Sequence, residues 1–354
     1  MTTSSCRCAL GLRALGAFAL LVIIVAPAAA ETFSVDPASA PGPAAAASVL
    51  TPGPTTHLAP ASLGLVVGDD LDALSTGHDT GQIVYFSVDR ASVGAAGPFA
   101  PFNVAGQAAL SQQAGDVFVS VNPAGVASQP MGINSLFTNS THFGLAPIFG
   151  SGPFIDPTLN NAGPQDSLNA FNFDEPDFLG PGGSPGRDGV VDVPTFYSLA
   201  AGSPSLAALG ATSDDVLMVL PPWLGGTVTV FIDGVTNLGL IAGDDLDAMA
   251  LTVDVNIGLG PVYTFTPVQI WFSLAPGSPS LAGLTASAAD VFYRTDFTGT
   301  PLSIGDVGYS AASLGLLFTD NINALELQPV PEPATLALLA AGLARLGLRR
   351  RRSA

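Results

Sequence analysis

Asp69-Asp70-Leu71-Asp72-Ala73-Leu74 is the stretch that decides the fold, because it recurs along the chain. The clearest second copy is Asp244-Asp245-Leu246-Asp247-Ala248-Met249; residues 320–325 hold a third copy and residues 166–171 a weaker one. Leu-Gly-Leu precedes three of the copies, at residues 63–65, 238–240 and 314–316. Self-similarity of this kind is the signature of a repeat architecture. The body of the chain is therefore predicted to consist of repeated units.

A second phrase alternates with the first. Phe196-Tyr197-Ser198-Leu199 leads through Gly202-Ser203-Pro204-Ser205-Leu206 to Asp214-Asp215-Val216, and residues 272–292 repeat this order. A diverged copy occupies residues 86–118, and another Phe-Ser-Val lies at residues 33–35. Both phrases share an order of Leu, Asp, an apolar residue and a strand-like run. They look like versions of one unit.

The predicted number of units comes from a count of Asp–apolar junctions, the points at which an apolar strand begins beside an aspartate or asparagine. Seven such junctions occur, at Leu71, Val117, Leu168, Val216, Leu246, Val291 and Ile322, with spacings between 30 and 51 residues. Propeller blades run near ~40–50 residues. Each unit reads as short strands bounded by Gly, Pro, Asp or Ser. The prediction is an all-β fold of repeated short antiparallel units, a β-propeller of six or seven blades closed by residues 33–35; tandem β-sandwiches are the alternative.

Composition divides the chain into segments. Residues 1–30 carry two arginines, an apolar run and Ala28-Ala29-Ala30, which is typical of a secretory signal peptide cut after Ala30. Residues 31–62 are rich in Pro, Ala, Ser and Thr and predict a flexible leader with a possible closing strand. Residues 63–329 hold the repeats, and the Gly-, Pro- and Asn-rich residues 122–195 predict a loop-rich insertion within them. Residues 330–354 form a separate tail.

The charge of the body excludes some classes of function. The chain has no lysine, and the body between Glu31 and Pro331 has three arginines against 27 acidic residues, a net charge of −24. Such a surface repels nucleic acid and anionic lipid, so DNA or RNA binding is not expected. Cys6 and Cys8 both lie in the predicted signal peptide, so the mature chain has neither disulfides nor thiolate chemistry.

The acidic turns have two interpretations. Carboxylates at short spacing suit calcium, which takes several oxygen ligands. Aspartate before a strand is also a common turn residue that bonds its own backbone. The favoured interpretation is the turn, because two copies replace acids by Ser167 and Asn169, or by Asn321 and Asn323. The candidate calcium ligands are Asp69, Asp70, Asp72, Asp244, Asp245 and Asp247.

Catalytic signatures are weak. Asp79-Thr80-Gly81 matches the aspartic-protease tripeptide, but such catalysis needs a second carboxylate of the same kind and no second tripeptide exists. The three histidines lack the spacing of a metal ligand set. Glu175 and Asp177 could serve a glycosidase, yet nothing distinguishes them from a solvated loop. Trp223 and Trp271 lie in strand-like runs and are predicted to be core residues. The prediction is that the protein is not an enzyme and needs no cofactor.

The C-terminal tail has three parts. Pro331, Glu332 and Pro333 lie in Val330-Pro331-Glu332-Pro333-Ala334; an apolar run follows to Leu348, then Arg349, Arg350, Arg351 and Arg352. The prolines favour extended backbone, and the apolar run predicts a short helix. The tail resembles the PEP-CTERM sorting signal of Gram-negative bacteria. That resemblance covers about the last 25 residues and implies processing by an exosortase, a membrane-embedded cysteine transpeptidase.

The resemblance also implies a destination and partners. It implies export through the inner membrane, with placement in the cell envelope or outside the cell after processing. The expected partners are the exosortase and the secretion machinery, the membrane through the C-terminal helix before processing, and exopolysaccharide. The expected function is a non-catalytic envelope or matrix protein associated with exopolysaccharide or biofilm. The alternative is a secreted carbohydrate-active enzyme or glycan-binding module on a propeller.

Overall fold

The computed structural model describes ten segments of the chain, all within the body. They are residues 31–75, 83–97, 102–121, 134–138, 140–143, 145, 166–172, 194–220, 227–257 and 263–327. The predicted signal peptide, the predicted apolar tail helix, Asp79-Thr80-Gly81, Glu175, Asp177 and Trp223 lie outside these residues. Among the described residues, no helix is long and apolar enough to cross a membrane.

The structure is all-β, and its strands form four antiparallel sheets of four strands, arranged as a four-bladed propeller. Blade I contains β4 Leu71–Ser75, β5 Ile83–Val88, β6 Val117–Val121 and β7 Asn134–Thr138. Blade II contains β8 Leu168–Asn172, β9 Thr195–Leu199, β10 Val216–Val219 and β11 Val228–Ile232. Blade III contains β12 Leu246–Ile257, β13 Tyr263–Leu274, β14 Val291–Arg294 and β15 Val307–Tyr309. Blade IV contains β16 Ile322–Leu327, β1 Glu31–Val35, β2 Val49–Thr51 and β3 Thr55–Leu58.

Short helices connect the strands. They are α1 Pro43–Ala46, α2 Pro60–Leu63, α3 Val104–Ala109, α4 Pro204–Leu209, α5 Pro279–Leu284 and α6 Ala311–Leu314. Both Ser-Pro-Ser sequences begin a helix, α4 or α5, with proline at the first turn, where its missing N–H leaves no hydrogen bond unmade. A π-helical turn, Gly234–Leu238, leads into blade III, and the described residues also contain 3₁₀ turns at Gln113–Gly115, Ser140–Phe143 and Ile304–Asp306.

The ring is closed by the two ends of the body. Strand β1 lies between β16 and β2, and pairs with β16 from Glu31 opposite Leu327 to Val35 opposite Ile322. The predicted closure by Phe33-Ser34-Val35 is therefore confirmed. The innermost strands are β4, β8, β12 and β16, and each packs against the next, so that they surround the propeller axis. Closure leaves no sheet edge between the first and last parts of the body.

The predicted six or seven blades are wrong, because the seven junctions are of two kinds. Four of them, at Leu71, Leu168, Leu246 and Ile322, begin the innermost strands. The other three, at Val117, Val216 and Val291, begin the third strands of blades I to III. One turn type is thus used twice in a blade, and counting the turns almost doubles the number of blades. The two alternating phrases are the two halves of one blade.

The N-terminal part of the body is folded, in contrast to the predicted flexible leader. Residues 31–62 contain β1, β2 and β3 and complete blade IV. Val49 and Leu50 are buried, and β2 pairs with both β1 and β3. The described parts of residues 122–195 include β7 and β8, which belong to the regular blades. The remainder of that predicted insertion lies outside the described residues.

The apolar core lies between blades, in four clusters, one at each seam between neighbouring blades. Ala73, Ala170, Ala248 and Ala324 occupy the same position in the four copies of the first phrase and are at most 1% exposed. Each belongs to a different cluster: Ala73 to the I–II seam, Ala170 to II–III, Ala248 to III–IV and Ala324 to IV–I. The repeated alanine therefore marks where one blade packs on the next.

The Leu-Gly-Leu sequences end the helical turns that lead to innermost strands. Gly64, Gly239 and Gly315 follow α2, the π-helical turn and α6, with φ of 69°, 72° and 77°. This left-handed conformation disfavours residues with a Cβ, and glycine adopts it without strain. The leucines on both sides are buried. Each sequence therefore reverses the chain and anchors it in a seam before the aspartate turn begins.

Candidate functional site: turn aspartates and an axial belt

The first aspartate of each copy holds its own blade together. Asp244 Oδ2 accepts from Ile241 N at 2.7 Å and from Ser280 Oγ at 2.6 Å, and Oδ1 accepts from Ser280 N at 2.8 Å. Asp69 likewise accepts from the N–H groups of Val66 and Val93, at 2.8 and 2.7 Å. These are the bonds that the turn interpretation predicts. The carboxylate joins the start of the innermost strand to the segment that follows the second strand of the same blade.

Asp166 and Asp320 make the corresponding bonds in blades II and IV. Asp166 accepts from Ser205 N at 2.9 Å and from Ser205 Oγ at 2.7 Å. Asp320 accepts from Leu317 N at 2.8 Å and from Ala40 N at 2.7 Å. The first position is thus an aspartate with one structural task in all four blades.

A serine completes this attachment in each blade. The N–H of the second residue of the phrase donates to a serine hydroxyl that also follows the second strand. The four pairs are Asp70 with Ser92, Ser167 with Ser203, Asp245 with Ser278 and Asn321 with Ser39, at 2.9 to 3.1 Å. The serine before proline in the Ser-Pro-Ser sequences is therefore an acceptor for the innermost strand.

The fourth residue of each copy is the extra residue of a β-bulge. In blade I, Leu71 pairs with Val88 and Ala73 pairs with Ser87, so Asp72 has no partner in the ladder. The same register shift leaves out Asn169, Asp247 and Asn323 in the other blades. Bulges re-aim a side chain. These four side chains make contacts with a neighbouring blade instead of lying on their own sheet.

The second and fourth residues of the four copies form a closed ring of hydrogen bonds, which we call the axial belt. Its members are Asp70, Asp72, Ser167, Asn169, Asp245, Asp247, Asn321 and Asn323. Each fourth residue bonds the second residue of the next blade. The four bonds are Asp72 with Ser167 at 3.3 Å, Asn169 with Asp245 at 3.1 Å, Asp247 with Asn321 at 2.6 Å, and Asn323 with Asp70 at 2.9 Å.

The composition of the axial belt follows from the need for donors. An ionised carboxylate only accepts hydrogen bonds, so two facing aspartates could not bond each other. Blades I and III supply carboxylates, whereas blades II and IV supply hydroxyl or amide donors. Every seam therefore joins one acceptor to one donor. The serine and asparagines that weaken the acidic phrase in two copies are the donors that the other two copies require.

Burial raises the pKa of the belt carboxyls. Loss of water, with the like charges of Asp72 and Asp89, raises the pKa of Asp70 to about 10. Burial raises the pKa of Asp72 well above its ordinary value, although the hydroxyl of Ser167 opposes this shift. Burial also raises the pKa of Asp247 to about 7 and of Asp245 to about 6, against hydrogen bonds from Asn321 and from Ala201 N. Each of the four belt carboxyls therefore has a pKa above the ordinary value of an aspartate.

Two oxygens of the belt are fully buried and have no hydrogen-bond partner. They are Oδ1 of Asp70 and Oδ1 of Asn321, and both residues are 6% exposed. The other polar atom of each group is bonded within the belt, to Asn323 in both cases, and Asn321 also donates to Asp247. A buried acceptor without a donor is unfavourable. A proton on Asp70 would turn this carboxyl, which now only accepts, into a donor as well.

The six candidate calcium ligands fall into two groups. Asp69 and Asp244 bond backbone N–H groups with both oxygens, whereas Asp70, Asp72, Asp245 and Asp247 belong to the axial belt. Within the described residues, no three histidine, aspartate or glutamate side chains are arranged to hold a metal ion. Calcium binding by these residues stays the less favoured of the two interpretations.

The serine of the Phe-Ser phrase has a role that sequence reasoning missed. Ser87, Ser198 and Ser273 lie on the second strands of blades I to III and are fully buried. Each donates across a seam to a carbonyl oxygen of the next innermost strand: Leu168 at 3.2 Å, Leu246 at 3.2 Å and Ile322 at 2.8 Å. A serine at the same position of an otherwise hydrophobic strand in each copy of the phrase was the sequence signal that could have predicted this role.

Trp271 was predicted to be a core residue, but it is only partly buried and lies at the edge of a core cluster. It packs against the III–IV cluster. Its ring lies 4.2 Å from that of Tyr293 and 5.1 Å from that of Tyr309, between centroids. A Cβ at Gly308 would lie 2.2 Å from the indole, so the glycine makes room for it. Three partly buried aromatic rings thus stack across blade III.

The C-terminal residues provide the match to a known family. A family model of the PEP-CTERM protein-sorting motif matches residues 329–352, which include the predicted Pro331, Glu332, Pro333 and Arg349 to Arg352. No curated protein and no solved structure matches the chain. The match begins two residues after Leu327, the last residue of β16. In sequence, a PEP-CTERM sorting motif therefore follows directly after β16, the last strand of the propeller. Such a motif is expected of an exported envelope or extracellular protein that is sorted by an exosortase.

Proposed function

We propose that the protein is a non-catalytic component of the cell envelope or extracellular matrix, cut at its sorting motif and associated with exopolysaccharide. The observation that carries this proposal is the motif at residues 329–352, placed immediately after a closed, strongly acidic propeller. The tail directs the chain to the envelope, and the body is the product that stays there.

The hydrogen bonds of the belt carboxyls support the proposal that the body has no catalytic role. A glycosidase needs a pair of carboxyls with shifted pKa beside the substrate. The carboxyls of the axial belt have raised pKa values, but each accepts a hydrogen bond from a neighbouring blade. Asp70 and Asp72 are also buried. These hydrogen bonds between blades give the belt carboxyls a structural role.

The processing experiment uses the protein isolated from its native envelope. Mass spectrometry of the intact chain is expected to find an N-terminus at Glu31 and a C-terminus near Pro331 to Pro333, without the arginine block. Replacing Pro331, Glu332 and Pro333 by alanine should leave the block in place. The matched control is Asp254→Ala, an exposed change in the body that should leave processing intact. An unmodified C-terminus on the unsubstituted protein would overturn the proposal.

A glycan-binding module is the second candidate, and the aromatic stack favours it. Trp271, Tyr293 and Tyr309 are partly buried, and sugars bind through stacking on such rings together with polar neighbours. The test is binding of the purified body to the exopolysaccharide of its own host by calorimetry. Trp271→Ala should abolish binding, whereas Phe318→Ala, which removes an aromatic ring that is 62% exposed elsewhere, should not. Equal binding by both variants would reject this candidate.

A further inference from the structure

The propeller has two ends that carry different residues. The innermost and third strands of each blade begin on the side of the axial belt, and we call this the belt end. Because neighbouring strands are antiparallel, the second and fourth strands begin at the opposite end, which we call the tail end. The place of a residue in its strand therefore decides at which end of the ring it lies.

Both ends of the body leave the ring at the tail end. Strand β1 begins with Glu31, and β16 ends with Leu327, which lies directly opposite Glu31 in the ladder. Facing residues of an antiparallel pair have Cα atoms about 4.5–5.5 Å apart. The predicted signal peptide ends at Ala30, and the sorting motif begins at residue 329. The two segments that the sequence predicts to enter the membrane are therefore attached to neighbouring positions of the ring.

The connection between the ring and the apolar run of the tail is short. Only residues 328–334 separate Leu327 from Thr335, the first residue of that run. Even fully extended, this connection spans at most ~25 Å, at ~3.6 Å per residue. Once the apolar run enters a bilayer, the tail end is thus the part of the ring that is held close to the lipid surface.

The aspartates are concentrated at the belt end. The first position of the phrase is aspartate in all four blades, and the third strands of blades I to III follow Asp116, Asp215 and Asp290. The four belt carboxyls lie at the same end. At the tail end, the acids of the described residues are Glu31, Asp254, Asp296, Asp306 and Glu326. The described part of the chain therefore has most of its carboxyls at the belt end.

The tail end also offsets part of its own acidity. Arg294, at the end of a third strand, forms ion pairs with Asp296 and Asp306, both at 3.3 Å. Glu31 and Glu326 are buried. Charges interact with a membrane surface over about one Debye length, ~8 Å at physiological salt, so the end that faces the lipid decides the interaction. The repulsion expected between the acidic body and anionic lipid thus comes mainly from the belt end.

The blade III hairpin, formed by β12 and β13, extends the tail end. Each of its strands has 12 residues, whereas β4 and β8 have 5 and β16 has 6. All four innermost strands begin at the belt, so the additional residues of β12 project by ~20 Å, at ~3.3 Å per residue. Residues 249–274 contain a single charged residue, Asp254. Val268 is 44% exposed, and Phe265 and Pro267 beside it are partly exposed. A projection with exposed apolar groups and one charge is typical of an interaction surface.

We propose that the tail end of the propeller faces the membrane while the sorting tail is uncut, with the blade III hairpin in contact with the lipid head groups and the belt end directed away. This inference rests on the proposed function, in which the sorting tail holds the chain at the membrane before it is cut. The short connection keeps the tail end close to the lipid, and an anionic surface repels the belt end. The acidic end of the ring is thereby presented to the surroundings.

Quenching of a fluorescent label by lipids tests this orientation. In the full chain with Cys6→Ser and Cys8→Ser, Thr264→Cys places a thiol on the exposed side of the hairpin, and Ala201→Cys places one in an exposed belt-end turn. The labelled chain is reconstituted without exosortase, so that its tail stays uncut, into vesicles of phosphatidylethanolamine and phosphatidylglycerol with nitroxide on the head groups. The label at residue 264 should be quenched at least threefold more than the label at residue 201. Equal quenching, or stronger quenching at residue 201, would overturn the proposal.

A matched pair of charge variants tests the contact between the hairpin and the lipid. In the chain labelled at residue 264, Thr266→Glu adds a carboxylate to the exposed side of the hairpin, and Ala201→Glu adds one at the belt end. Thr266→Glu should reduce the quenching at least twofold, because the anionic lipid repels the added charge. Ala201→Glu should leave the quenching unchanged. Equal effects of the two substitutions would overturn the hairpin contact.

The failure of this inference and the failure of the proposed function give different results. The vesicle measurement needs no cut at the sorting motif, whereas mass spectrometry of the native protein reports the cut alone. A cut C-terminus with equal quenching at residues 201 and 264 would reject the orientation and keep the processing. An uncut C-terminus with strong quenching at residue 264 would reject the processing and support the orientation of the anchored chain.

Discussion

Two sets of polar residues in one repeated phrase do different work. The first position is aspartate in all four blades and accepts hydrogen bonds from the backbone of its own blade. The second and fourth positions alternate between carboxyl and amide or hydroxyl, and bond the neighbouring blade. A residue that every repeat retains therefore shapes each blade, whereas residues that alternate between repeats determine how blades join. The separate contributions of the two sets can be measured.

The largest effect is expected from a first-position change. Asp244→Ala removes the acceptor of Ile241 N, Ser280 N and Ser280 Oγ at a fully buried site. Leaving these donors unsatisfied should lower the free energy of unfolding by about 3–5 kcal/mol. Urea denaturation measures this. Asp254→Ala, on the exposed side of β12, should change the value by less than about 0.5 kcal/mol; a loss below about 1 kcal/mol for Asp244→Ala would contradict the assigned role.

Exchange of a donor and an acceptor within the axial belt should have the next largest effect. Asn169→Asp sets a carboxylate against Asp245, and is expected to reduce stability by about 2 kcal/mol at pH 8. Asn169→Asp with Asp245→Asn restores one donor and one acceptor, while the new amide oxygen can still accept from Ala201 N. A double-mutant cycle should show a favourable coupling of at least 1 kcal/mol. Purely additive losses would show that alternation is not what stabilises the belt.

The buried carboxyls of the axial belt should make the stability of the fold depend on pH. The folded-state pKa is raised from 3.8 to about 6 for Asp245, about 7 for Asp247 and about 10 for Asp70. A raised pKa means that the folded state binds these protons more tightly than the unfolded state. The stabilisation is complete below about pH 4 and is lost as the pH rises through 6, 7 and finally 10.

The melting temperature should therefore fall by several degrees between pH 5 and pH 9, since one pKa unit corresponds to ~1.4 kcal/mol. Asp247→Asn keeps an amide oxygen that can accept from Asn321 and removes the loss near pH 7, so its melting curve should be flatter. Melting followed by circular dichroism at one-unit pH steps measures both. A melting temperature that rises over this range would refute the proton-binding belt.

The sequence predicted the strand class and the closure of the ring, because local patterns carry them. Alternating apolar runs between turn residues identify strands, and Phe33-Ser34-Val35 resembles the second strands of the other blades. The number of blades was not predictable from turns alone, because Asp116, Asp215 and Asp290 begin third strands with the same Asp–apolar pattern that begins the first strands. The turn residues predict where a strand starts, but they do not tell whether that strand is the first or the third of its blade.

The axial belt could not be predicted from any single sequence motif. Its bonds join residues far apart in the chain, such as Asn323 and Asp70, which are 253 positions apart, and Asn169 and Asp245, which are 76 apart. In isolation, an asparagine in place of aspartate looked like a weakened calcium ligand. Compared around a closed ring, the same substitution is the donor that a facing carboxylate requires. The alternation of acid and amide between successive copies was the signal for this pairing.

The smallest effect is expected from calcium. Asp69 and Asp244 already bond backbone N–H groups with both oxygens, and the described residues contain no group of three acids arranged around a common point. Melting in 5 mM calcium and in chelator should therefore differ by less than ~1 °C, since a ligand that does not bind the folded state does not shift its stability. The opposite result would be a rise of several degrees in calcium that disappears in Asp70→Asn but persists in Asp254→Asn. That result would establish the belt as a calcium site. A bound cation favours the ionised carboxylate, so calcium would then lower the raised pKa values of the belt carboxyls.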